Sequence, residues 1–97
     1  MNDLPGLGID MPDVIRAGPP STVLVVNAAD PSGVELLVHD VETGKLVSRP
    51  SLRRSGPGSL AAEVVIGRPG VYRLSARLAG ASPVTRLFLA VDDIEPT

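Results

Sequence analysis

The segment Gly67-Arg68-Pro69-Gly70-Val71-Tyr72-Arg73-Leu74-Ser75-Ala76-Arg77-Leu78 constrains the fold more than any other part of the chain. A Pro-Gly turn launches a run in which Tyr72, Leu74, Ala76 and Leu78 alternate with Arg73, Ser75 and Arg77. Period-two alternation belongs to a strand with one dry face and one wet face, the pattern of an antiparallel sheet. Tyr72 stands two residues after the turn, where sandwich domains place a phenol whose hydroxyl bonds back to the corner backbone. Pro69, Gly70 and Tyr72 are therefore read as structural residues, and Tyr72, Leu74, Ala76 and Leu78 as core together with Val34, Leu36, Val38, Val64 and Ile66.

The rest of the chain repeats the theme. Residues 1–20 are rich in Pro and Gly and predict an irregular lead-in with room for one edge strand, since prolines are tolerated at sheet edges and not inside. Residues 22–27 contain four consecutive apolar residues before the breaker Asp30-Pro31-Ser32-Gly33, which predicts a central strand buried on both faces. Residues 34–40 alternate, Glu42-Thr43-Gly44-Lys45 turns, and residues 45–48 return as a short strand; Gly44 is the structural residue that supplies the positive φ. Residues 49–59 hold two prolines and two glycines and read as a loop or a ragged edge strand around Leu52. Residues 60–66, 72–78 and 84–91 are the remaining strands, the last two joined by Ala79-Gly80-Ala81-Ser82-Pro83. About seven strands divided by turn signals are the pattern of an all-β sandwich, here over residues 21–91 with an acidic tail at 92–97.

Composition sets the limits on function. Ninety-seven residues make one domain, and its core must be aliphatic because Tyr72 and Phe88 are the only aromatics. The chain has no cysteine, which removes disulfides, thiolate metal ligands and cysteine nucleophiles together. No apolar run approaches the roughly 18 residues of a membrane span. The N-terminus does not read as a signal peptide, and if Met1 is the native start the expected location is the cytoplasm. One lysine and two aromatics argue against nucleic acid, and the same shortage of rings argues against carbohydrate.

Two motifs carry a resemblance. Val38-His39-Asp40-Val41-Glu42-Thr43-Gly44-Lys45-Leu46-Val47 is similar to the V-x-D-x-x-T-G-x-x-V hairpin of bacterial immunoglobulin-like and fibronectin-III-like modules. Pro69-Gly70-Val71-Tyr72 is similar to the P-G-x-Y lead-in to their penultimate strand. The resemblance implies an immunoglobulin-like antiparallel β-sandwich and a non-catalytic appendage used for spacing, docking or binding. The chain departs from the antibody branch in lacking both core cysteines and the core tryptophan.

Candidate chemistry is sparse. His39 is the only histidine and falls on the more polar face of its strand; catalysis would need a positioned partner. Ser48 and Asp40 could join it in a triad, but no G-x-S-x-G elbow supports one. Gly56-Pro57-Gly58-Ser59 lacks the lysine and following helix of a phosphate loop. Asp92, Asp93 and Glu95 with Asp10 and Asp13 could meet at one pole around calcium, yet their spacing lacks the ligand ladder of known loops and favours a solvated tail.

The expectation is a non-catalytic adaptor, not an enzyme, with no cofactor, metal, membrane or small-molecule substrate, that meets a protein partner or sister domain of acidic character. The alternative is a ligand-binding module holding calcium or a small anion at the loop pole. Charge points to the surface: residues 49–86 carry seven arginines against Glu63 alone, while acids gather at both ends. If Leu87, Leu89 and Val91 face inward, Arg73, Arg77, Arg86 and Phe88 form an outward interaction stripe. Register decides this, because a one-residue slip exchanges the faces. The cost of burying an unpaired arginine favours the outward assignment.

Overall fold

Short runs with apolar residues at alternate positions, cut by Pro and Gly, become strands that bury one face each. The computed structural model describes residues 7–26, 33–78 and 83–92. Among these residues are nine strands: β1 (Gly8–Asp10), β2 (Val14–Arg16), β3 (Ser21–Val26), β4 (Val34–Asp40), β5 (Leu46–Ser48), β6 (Arg53–Gly56), β7 (Ser59–Val64), β8 (Gly70–Leu78) and β9 (Val84–Val91). They form a four-stranded sheet, β1-β3-β7-β6, and a five-stranded sheet, β2-β9-β8-β4-β5. All pairs are antiparallel except β2 with β9, and the whole is an immunoglobulin-like sandwich.

The number of strands exceeds the expected seven for two reasons. The lead-in contributes two strands, one to each sheet, because the chain crosses between the sheets at Met11-Pro12-Asp13. The ragged edge after Leu52 becomes β6, closed onto β7 by a tight turn in which Gly58 takes φ +70° behind Pro57. Residues 22–27 also differ from expectation. Val23 and Val25 are buried, but Leu24 and Val26 are half-buried and Thr22 is exposed, so β3 is central with only one dry face. Asn27, like the connections at 27–32 and 79–82, lies outside the described residues.

The core fills the space between the sheets with Val23, Val25, Leu60, Val64 and Ile66 against Leu36, Val38, Leu74 and Ala76. Tyr72 and Phe88 stand opposite each other on β8 and β9, with ring centroids 5.7 Å apart and planes 23° from parallel. Leu78, expected in the core, lies at the end of β8 and is 40% exposed.

The pairing of Tyr72 with Phe88 settles the parity of β9 and corrects the expected stripe. Phe88 is buried at 3%, whereas Leu87 and Leu89 face out at 60% and 40%. Arg86 shares the inward parity, but it is not unpaired. Its guanidinium donates to Asp13 Oδ1 at 2.7 Å and to the Ile9 carbonyl at 3.1 Å, at the open end between the sheets. Burying an aromatic ring is worth about 3 kcal/mol or more, and an arginine with two acceptors no longer opposes it. Arg73 and Arg77 do face out, so the four residues do not share a surface.

Candidate functional site

At one pole of the sandwich the β4–β5 hairpin stands beside the link from β7 to β8, leaving an open cleft of about 390 Å³. The hairpin wall is held by its own polar groups. Asp40 Oδ1 accepts from the Glu42 N–H at 2.8 Å and the Thr43 N–H at 3.4 Å. The Gly44 N–H reaches the Asp40 carbonyl at 2.7 Å, with Gly44 at φ +74°, and the Lys45 N–H reaches Thr43 Oγ1 at 3.3 Å. Val41 N–H then ties the turn to the Val71 carbonyl at 3.1 Å. Aspartate, threonine and glycine at this spacing are what close such a turn without outside help.

The other wall is pinned by Tyr72. Its hydroxyl donates to the Arg68 carbonyl at 2.7 Å, which fixes the Arg68-Pro69-Gly70 corner from inside the core. Gly70 sits at φ +154° with the Tyr72 ring packed over it, and Pro69 is exposed on the bend. The two walls are therefore formed before any ligand arrives, which lowers the cost of binding one.

The lining is amphipathic. Lys45 comes from the hairpin and Arg68 from the corner, and neither has an acid partner among the described residues. Asp40 also lines the cleft, with one oxygen already committed to the turn. Apolar surface is added by Leu46 and by Val47, the residue left unpaired where β5 bulges against β4. A volume near 400 Å³ with a few convergent polar groups falls in the ordinary range of small-ligand sites.

The remaining candidates do not gather. His39 lies on the outer face of the five-stranded sheet between Leu46 and Arg73, and its Nδ1 is buried without a hydrogen-bond partner. Ser48 pairs with Val38, one residue before His39 and on the opposite face, so no triad forms with Asp40. Asp13 is held by Arg86, while Asp93 and Glu95 of the proposed calcium cluster lie outside the described residues.

No family model matches the chain, and neither does any curated protein. Solved structures do share its shape. CopC from Methylosinus trichosporium OB3b superimposes with a TM-score of 0.60 at 21% identity, over 91% of this chain and 90% of that one. A superoxide reductase (neelaredoxin) from Ignicoccus hospitalis gives a TM-score of 0.55 at 11% identity, over 88% of this chain and 80% of that one. At these identities the likeness establishes the fold.

These neighbours correct the functional expectation. The reading of a non-catalytic adaptor took a small sandwich to be an appendage, yet CopC and an enzyme have the same architecture. The statement that the chain is not an enzyme loses its ground for the same reason. The ligand-binding alternative fits the neighbours better.

The residues of this chain bear on whether the fold carries a metal centre here. The chain has no cysteine and one histidine, and Met11 is buried in the core. Among the described residues no three of His, Cys, Asp and Glu come together. Nitrogen, sulfur or carboxylate ligands in the number a metal centre needs are not assembled there, so these residues do not fit one.

Proposed function

We propose that this chain is a ligand-binding sandwich that holds a small anion, a carboxylate or phosphate group, in the pole cleft. The observation that carries the reading is the pair Lys45 and Arg68, two cations without acid partners among the described residues, placed by separate segments on one preformed cleft. Arg68 offers a planar fork of donors suited to carboxylate or phosphate oxygens, and Lys45 adds a mobile point charge. Leu46 and Val47 give an apolar flank for whatever carries the anionic group. The hairpin and Pro-Gly motifs that resemble bacterial immunoglobulin-like modules supply the two walls.

Thermal melting by circular dichroism tests this, with sodium phosphate and sodium citrate compared with sodium chloride at equal ionic strength. A site-bound anion at about 100 times its Kd stabilises by about 2.7 kcal/mol, a shift of several degrees for a domain of this size. The expected result is a rise in Tm that disappears in the Lys45→Ala/Arg68→Ala variant. An equal rise in that variant would assign the effect to general salting-out. No rise at all would also refute the site.

A further inference from the structure

The outer face of the five-stranded sheet is finished differently from a surface meant for water. Strand register places Val14, Leu89, Val71 and Val41 in one cross-strand row, and Leu87, Arg73, His39 and Leu46 in the next. Six of these, Val14, Val41, Leu46, Val71, Leu87 and Leu89, are exposed large hydrophobic side chains. They include the most exposed large apolar side chains among the described residues, Leu87 at 60% and Val14 at 51%. An antiparallel sheet facing solvent alternates apolar with polar residues, and these rows break that rule.

We propose that this face is the interface between two copies of the chain, packed sheet against sheet. The five strands, of three, eight, nine, seven and three residues in sheet order, make a face of roughly 500 Å² at about 4.8 Å by 3.4 Å per residue. A standard interface uses roughly 800 Å² per partner, so a face of this smaller size fits a weak, concentration-dependent dimer.

The two rows also complement each other. A two-fold axis lying along and between them sets Leu87 of one copy over Leu89 of the other, the Arg73 stem over Val71, and His39 over Val41. The charge at the centre of the patch is Arg73, whose aliphatic stem can pack while its head reaches solvent. Arg77 is matched by Glu35 at 2.6 Å, so like-charge repulsion between copies is small.

Sedimentation equilibrium over a dilution series from about 1 mM to about 1 µM tests the assignment. The expected mass rises toward twice that of the chain with concentration. Leu87→Asp weakens association at least tenfold while the far-ultraviolet spectrum and a cooperative melt are retained, and Leu89→Ser does the same more mildly. Arg73→Leu, which removes the central charge, tightens the dimer. A wild-type mass that stays monomeric throughout overturns the proposal, as does association that Leu87→Asp and Leu89→Ser leave unchanged or that Arg73→Leu weakens.

Discussion

On the outer face of the four-stranded sheet, Thr22 Oγ1 donates its one proton to the Glu63 carboxylate, 3.0 and 3.1 Å from its two oxygens, and Arg53 reaches the same carboxylate from the neighbouring row in a 3.1 Å ion pair. On the outer face of the five-stranded sheet, the row Val14-Leu89-Val71-Val41 offers methyl groups instead. Both faces belong to the same sandwich and cover the same aliphatic core. The first is finished for water by cross-strand polar pairs. The second keeps apolar surface exposed at a cost in solubility, and we assign that surface to a second copy. Burial of the core accounts for the fold; the difference between the faces bears on what the fold does next.

The comparison depends on the parity of β9, and Phe88→Ala strikes at that directly. With Phe88 buried against Tyr72, the substitution should cost about 3–5 kcal/mol in urea denaturation. A cost within about 0.5 kcal/mol, typical of a surface position, would place Phe88 outside and Leu87 and Leu89 inside, and the two faces would exchange character. Arg86→Ala comes next. It removes charge-assisted bonds to Asp13 and the Ile9 carbonyl, and because Asp13 is largely exposed the expected loss is about 1–2 kcal/mol. A neutral result would show that Arg86 does not clasp β9 to the lead-in.

How much of this was legible in the sequence follows from the same residues. In β8 every second residue from Tyr72 to Ala76 is apolar and every intervening one polar, so the buried face can be read directly. In β9, Leu87, Phe88, Leu89, Ala90 and Val91 are apolar at both parities, and alternation carries no information. Its parity is set by the ring of Tyr72 and by acceptors at Ile9 and Asp13, more than 70 residues away. Residues 8–16 were obscure because strands of three residues leave no period to detect. The cleft was half legible: its hairpin and corner were both recognisable, but only the pairing of β4 with β8 brings Lys45 and Arg68 to one pole. The signal available was one cation at each turn, Lys45 inside the hairpin and Arg68 directly before Pro69-Gly70.

Two smaller effects sharpen the comparison. Tyr72→Phe removes the bond to the Arg68 carbonyl and should cost about 1 kcal/mol, leaving the core ring in place. The loss should be measured alongside anion binding, since it loosens one wall of the cleft. On the four-stranded face, Glu63→Gln should change stability by no more than about 0.5 kcal/mol, because its partners are exposed and screened. A loss above about 2 kcal/mol would make the polar face structural and remove the contrast with its apolar counterpart.

The central functional claim concerns the pole cleft, and a residue-resolved titration reaches it most directly. Inorganic phosphate should be added to isotope-labelled protein at constant ionic strength while backbone amide resonances are followed by nuclear magnetic resonance. The account predicts saturable shifts concentrated at residues 40–47 and 67–72, lost in the Lys45→Ala/Arg68→Ala variant. Shifts that do not saturate, or that fall away from those two segments, would contradict it.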